Sequence, residues 1–328
     1  MKLERVGLIV NPHAGRGDAI AIARDAIRAL APREILVGAG AMGADAVRDQ
    51  SARVFDWSAH AGTARTKFLA QQFANENVDA LIVIGGDGTL ADVALTIAPR
   101  AVPLLGIGAG SANVGPLMTC ANVTQLANAR FATRALDGLI AGVNDGDLGL
   151  GFNDVVLDFT VLATVNDQIV NVDAAQKMIG ANIPRDPEPV WTNDTRIVKK
   201  HARGETLVAH GDQVATMIVG LPDERFYGKA IAGGVILSSM LGDPAGCLVC
   251  NHLLVTTRVD RDAYYRAEPI ISRYVGLNET DRVESTGLRD GVALCADGNP
   301  LKILRGDDRV QVRVARGLAT SIRIEEST

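Results

Sequence analysis

Five residues, Gly85-Gly86-Asp87-Gly88-Thr89, lie between two apolar stretches, Ala80 to Ile84 and Leu90 to Ile97. The first has the length of a buried strand and the second reads as a short helix. A glycine-rich turn between a strand and a helix can aim several backbone N–H groups at one spot, because glycine tolerates positive φ and has no Cβ in the way. The helix adds its own N-terminal N–H groups and the positive end of its dipole. That geometry suits a phosphate. An aspartate inside the turn repels an anion, so it makes sense where its carboxylate handles a proton or lies near a metal ion. The plainer alternative is a tight strand-to-helix turn with an ordinary aspartate, and the rest of the chain decides between them.

The chain has 328 residues, enough for two domains and a sizeable core. Its 47% hydrophobic and 22% charged content is ordinary for a globular protein, and a net charge of −5 gives no pull toward nucleic acid. The longest uncharged stretch, Ala101 to Ala129, is broken throughout by Gly, Ser, Asn, Pro and Gln. It lacks the ~20 mostly apolar residues of a membrane helix. The N-terminus, MKLERVGLIV, enters a strand at once with no signal-peptide pattern, so a cytoplasmic protein with no membrane or nucleic-acid partner is expected. Of the four cysteines, Cys120, Cys247, Cys250 and Cys295, two form a C-x-x-C in a strand-like segment. Three-residue spacing on a strand sends the two sulfurs to opposite faces, so Cys247 and Cys250 read as buried thiols rather than zinc ligands.

The first half alternates strand and helix. Val6 to Val10, Glu34 to Val37, Arg53 to Asp56, Ala80 to Ile84 and Pro103 to Ile107 read as strands. Helices are expected from an Asp18 N-cap to Leu30, over Ala44 to Gln50, from Thr63 to Asn75 with Leu69 and Phe73 on one face, after the glycine turn, and over Thr124 to Ala141. Such alternation implies an α/β domain, a doubly wound parallel sheet whose ligands sit at the carboxyl ends of the strands. Near Gly146 the texture changes to β-like runs: 155–165, 168–172, 213–219, 247–259, 292–295, 310–315 and 320–325. These imply a mainly β, sandwich-like second domain. The expected division is 1–146 and 147–328, with the last strand returning to the first domain. Ile183 to Thr195, rich in proline, reads as a long loop that could serve as a lid.

Three loops after strands of the first domain belong together: Asn11-Pro12-His13-Ala14-Gly15, the Gly85–Thr89 turn, and Gly110-Ser111-Ala112-Asn113. In this order they resemble the diacylglycerol-kinase and NAD-kinase superfamily, whose nucleotide site uses N-P-x-x-G, G-G-D-G-T and G-T-x-N loops. Ser111 keeps the hydroxyl of the usual Thr. The segment Asp297-Gly298-Asn299, followed by Gly306-Asp307 and a strand, resembles the closing part of these kinases, with Asn299 where lipid kinases often carry a glutamate base. Over most of its length the chain is most similar to the ATP-NAD/AcoX-type kinases.

The resemblance implies ATP as donor with Mg²⁺, held by Asn11, Pro12, Gly15, Gly85, Gly86, Gly88, Thr89, Gly110, Ser111 and Asn113. Asp87 would be the catalytic base toward an acceptor hydroxyl of NAD or a small hydroxylated metabolite. For the acceptor it points to Asn166 and Asp167, with Asn153 and Asp154 as a second candidate pair, and to Tyr227, Gly233 and Gly234. The hydroxyl-rich run that precedes the Ala-Gly-Gly of NAD kinases is replaced here by Pro222-Asp223-Glu224-Arg225-Phe226. That replacement motivates the alternative, a nucleotide-binding regulatory protein of the AcoX type without a productive acceptor site. The superfamily also implies a homo-oligomer, a dimer or higher.

Overall fold

In a computed structural model of the chain, residues 2–14, 18–98, 102–109, 115–165, 168–222, 241–257, 261–266 and 269–325 are described. The chain forms two compact units, Met1–Leu136 with Gly317–Thr328, and Asp137–Arg316. The expected boundary at 146/147 falls at the start of a strand inside the second unit.

The first unit is built on parallel strands: β1 (Arg5–Val10), β2 (Glu34–Gly38), β3 (Arg53–Phe55), β4 (Ala80–Gly85), β5 (Leu104–Gly108) and the short β6 (Met118–Cys120). The order is β3-β2-β1-β4-β5, all parallel, with β6 beside β5. β4 and β5 are buried at every position, which is why they read as unbroken apolar runs rather than alternating ones.

Helices cover both faces of this sheet. Val6, Leu8 and Val10 with Ile82 and Ile84 share one cluster with Ala19, Ala23, Ala26 and Ile27 of helix α1 (Ala19–Leu30). Helix α2 (Thr63–Asn75) takes the other face. There a Cβ on Gly7 would fall 2.6 Å from Phe73 and Leu81, and one on Gly38 2.5 Å from Leu69, so glycine alone permits the approach. Asp18 caps α1 as expected, accepting from the Ile20 and Ala21 N–H groups. Helix α3 (Asp87–Ile97) begins inside the glycine turn itself. Among the described residues no helix is long and apolar enough to cross a membrane.

Two helical expectations fail in this part of the chain. Only a single 3₁₀ turn, Ala44–Ala46, stands where a helix over 44–50 was expected. The window 124–141 holds a short 3₁₀ turn and then strand β7 (Phe131–Val143). The near-helical spacing of Leu136, Leu139 and Ile140 misleads there. Gly138 and Gly142 weaken a helix, and a partner strand distant from any propensity decides the matter.

The second unit is antiparallel. β7 turns through Asn144 (φ 53°) and Asp145 (φ 69°) into β8 (Gly146–Gly151), a two-residue hairpin of the type that needs two left-handed residues. One six-stranded sheet follows from β9 (Asp154–Asp158), β14 (Thr216–Gly220), β15 (Ala245–Cys250), β16 (Ser272–Leu277), β18 (Ala293–Ala296) and β19 (Asn299–Ile303), in the order β16-β15-β14-β9-β18-β19. A second layer contains β12 (Trp191–His201), β13 (Gly204–His210), β17 (Arg282–Leu288) and the first part of β20 (Val310–Ile324). Leu157, Met217 and Val249 of one layer join Ile197, Val283 and Val312 of the other in a single core, as in a sandwich.

A hairpin of β10 (Thr160–Val165) and β11 (Gln168–Asp173), with the short helices α4 (Ala174–Met178) and α5 (Arg261–Arg266), completes the unit. The expected strand over 155–165 is thus two strands broken at Phe159, and the runs at 310–315 and 320–325 are one strand, whose Ser321 pairs with Leu104 of the first unit's sheet. β12, β13 and β17 carry exposed charges and were not legible as strands. The expected loop over 183–195 ends at β12 and is pinned. Pro184 bridges to Val172, Arg185 pairs with Asp173 at 2.8 Å and Glu188 at 2.9 Å, and Arg185 and Arg289 both stack on Phe159.

Candidate nucleotide site

In the first unit β2 and β3 lie to one side of β1, and β4 and β5 to the other. The loops leaving β1 and β4 therefore diverge at the sheet's switch point, where an open α/β sheet leaves a crevice for ligand. The loop after β1 starts at Asn11 and the turn after β4 starts at Gly86. The structure joins them directly: the Asn11 side-chain amide donates to the Thr89 hydroxyl at 2.8 Å. The Asn11 carboxamide oxygen accepts from the His13 N–H at 3.0 Å, and the Asn11 N–H donates to the Ile84 carbonyl at 2.9 Å. One asparagine thus closes its own loop and locks it to the first turn of α3, two jobs that an aspartate or a hydrophobe could not both do.

Gly85 explains the tightness of the turn. A Cβ there would fall 2.8–3.0 Å from the Thr89 side chain, so α3 can start this close only over glycine. The Thr89 and Leu90 N–H groups donate to the Gly86 carbonyl. The N–H groups before them, at the very start of α3, have no acceptor within the helix, as at every helix N-terminus. The N-cap residue, Gly86, has no side chain with which to cap this end. Donors of that kind, with a threonine hydroxyl beside them, fit phosphate oxygens.

Asp87 occupies the first turn of α3 and is half-buried. Its Oδ1 accepts the Gly115 N–H at 2.9 Å. Gly115 comes two residues after Asn113 and was not singled out in the sequence, where a backbone donor leaves no signature. Asn11, Pro12, Gly85, Gly86, Asp87, Gly88 and Thr89 are thus brought together. Gly15, Gly110, Ser111, Asn113, Asn166, Asp167, Tyr227, Gly233 and Gly234 lie outside the described residues. Among the described residues no group of three or more His, Cys, Asp or Glu could hold a metal ion. A Mg²⁺ here would rely on phosphate oxygens and water, its usual preference, with Asp87 the one carboxylate of these two loops.

In the second unit, Asp297 holds backbone. Asp297 (φ 48°) and Gly298 (φ 74°) form the two-residue loop between β18 and β19. The Asp297 carboxylate accepts N–H groups of Phe152, Asn153 and Asp154 at 2.7, 2.7 and 3.1 Å. The second candidate pair, Asn153-Asp154, therefore has its backbone committed to this anchor. Desolvation, with nearby Asp154, pushes the Asp297 carboxyl up to about 7 against the three donors that favour its charge. Asp158, which is buried, is raised to about 6 by desolvation. Cys247 and Cys250 are both buried in β15, and burial raises the Cys247 thiol to about 12.

Comparison with known proteins agrees with this geometry. Residues 6–135 match the ATP-NAD kinase N-terminal domain family. An uncharacterized protein of Archaeoglobus fulgidus is 29% identical over 326 residues, spanning 96% of this chain and 97% of the relative. The fold is similar to that of yeast NADH kinase, solved with NADH (TM-score 0.57, 12% identity, 99% of this chain and 84% of that one). It is also similar to a protein of Bacillus anthracis str. Sterne proposed to be a diacylglycerol kinase (TM-score 0.51, 17% identity, 98% and 97%).

Proposed function

We propose that this chain, a member of the NAD kinase and diacylglycerol kinase superfamily through its residues 6–135, is an ATP-dependent kinase acting on a hydroxyl of NAD or a small hydroxylated metabolite. The observation that carries the reading is the pairing of Asn11 with Thr89 at the switch point, with a carboxylate, Asp87, two residues before Thr89 in the same first turn of α3. ATP would supply the γ-phosphoryl group and Mg²⁺ the charge neutralisation between phosphates. The start of α3 and the Thr89 hydroxyl would hold phosphate oxygens, joined by Gly15, Gly110, Ser111 and Asn113 as the family motif implies. Asp87 would orient the acceptor hydroxyl and take its proton as the new O–P bond forms and the bond to ADP breaks. NAD leads among acceptors because of the family, the NADH-bound neighbour and the Asn166-Asp167 pair.

The test is direct. The protein is incubated with ATP and Mg²⁺ against NAD, NADH and a panel of small alcohols, and products are read by mass. A phosphorylated acceptor with stoichiometric ADP is the expected result. ATP binding without transfer to any of these acceptors would replace the kinase by the regulatory reading, and absence of ATP binding would remove both.

A further inference from the structure

The carboxyl group of an aspartate turns easily about its last bond, because that torsion is broad and two-fold. A base that must meet a hydroxyl along one line needs something to fix it. Among the described residues a backbone N–H, that of Gly115 on Asp87 Oδ1, helps to fix it. What holds Gly115 is then a question about the turn it begins.

That turn is held from the far end of the chain. The Met118 N–H closes it on the Gly115 carbonyl at 3.0 Å. The Arg323 guanidinium, near the end of β20, donates to two of its carbonyls, from Nη1 to Met118 and from Nη2 to Pro116. Thr119 adds a second tie between the same elements: its hydroxyl accepts from the Gly106 N–H at 3.1 Å and donates to the Ile322 carbonyl at 2.7 Å. A planar guanidinium presents its donors in a rigid fork, and bonds from a charged donor are about twice as strong as neutral ones. Pro116 has no N–H of its own.

We propose that Arg323 is a positioning residue for Asp87, acting through the 115–118 turn. It lies 236 positions from Asp87 in sequence and makes no use of any family motif. The proposal rests on the kinase reading for its catalytic meaning, while the link from Arg323 to Gly115 to Asp87 stands on the structure alone.

Two readouts test it in the full chain. In kinetics, Arg323→Ala lowers kcat about 10- to 100-fold, the cost of a slightly misplaced catalytic group, with the KM for ATP within about twofold. Arg323→Lys recovers part of the loss. In an Asp87→Asn background the same Arg323→Ala change has no further effect on residual turnover, because its target is already gone. Unchanged kcat, or the same fold-loss in both backgrounds, overturns the proposal.

The second readout needs no activity. In ¹⁵N-labelled protein the Gly115 amide resonance shifts when Asp87 becomes Asn, and Arg323→Ala abolishes that response. A response that survives Arg323→Ala overturns the proposal whatever the assay shows. If no acceptor is phosphorylated while the response disappears with Arg323, the kinase reading falls and the positional link stands. Arg323→Gln, which keeps one amide donor without charge, serves both measurements if Arg323→Ala does not fold.

Discussion

The two units place their polar groups in opposite ways. Of twelve buried polar or charged residues among those described, only Thr66 and Ser321 belong to the first unit, and ten belong to the second. The first unit keeps its strands apolar on both faces and gathers Asn11, Asp87 and Thr89 at the strand ends, half-exposed. The second buries several carboxylates and sets aspartates in its turns to hold polar groups: Asp297 anchors the backbone of residues 152–154, and Asp308 takes Asn144, Lys302 and the Arg305 N–H. The lesson is that an aspartate beside a glycine can mean two things. Asp87-Gly88 opens a helix at a crevice, whereas Asp297-Gly298 closes a hairpin and satisfies N–H groups that burial would otherwise leave unpaired.

That contrast can be broken most sharply by exchanging the two aspartates' fates. Asp87→Asn is expected to lower turnover by about 10²- to 10⁴-fold while leaving the dissociation constant for ATP within about threefold. Calorimetric titration beside the product assay checks both halves, and near-normal turnover removes Asp87 as the base. Asp297→Ala is expected to do the reverse. It leaves three backbone donors short of a partner and costs on the order of 3 kcal/mol of stability, read by urea unfolding, with ATP affinity per folded molecule unchanged.

The pH dependence sharpens the same point. Asp297 holds its proton more tightly in the folded chain, up to about 7 against an ordinary 3.8, so its contribution is full below about 4 and is lost as pH rises to 7. Asp297→Asn abolishes that loss, so the variant gains on the wild type over this interval, and parallel curves would contradict the assignment. A smaller effect is expected of Thr89→Val. Loss of the Asn11 link is worth about 1 kcal/mol, roughly a fivefold weaker hold on ATP. Smallest of all, the four cysteines should ignore an aromatic disulfide reagent until the chain unfolds. All are buried, with the Cys120 thiol raised to about 11 and Cys247 to about 12 by desolvation. A fast-reacting native thiol would show that burial here is incomplete.

Much of the first unit could be read in advance, because parallel strands buried on both faces appear as short apolar runs and the glycine turns mark where they end. Asp18, Leu69 and Phe73 behaved as their spacing implied. The second unit resisted. β12 carries Arg196, Lys199 and Lys200 and β17 carries Arg282 and Glu284, so neither shows a clean alternation. Their charges are tolerated because they pair, Lys199 of β12 with Asp281 just before β17 at 2.8 Å and Arg282 with Glu284 along β17 at 2.7 Å. β7 occupies much of the window that reads as a helix, although Asn144-Asp145-Gly146 is a hairpin signal that its left-handed residues explain.

The sequence by itself determined the two textures, the loops after β1 and β4, and the aspartate between them, because those depend on local spacing and on what glycine alone permits. Only the tertiary structure decided which groups meet. Asn11 reaches Thr89 across 78 positions, Gly115 reaches Asp87 across 28, and Arg323 grips Pro116 across 207. Each of these bonds joins groups that the first unit's fold brings close although they are distant in the chain, and the two that involve backbone leave no mark on residue type.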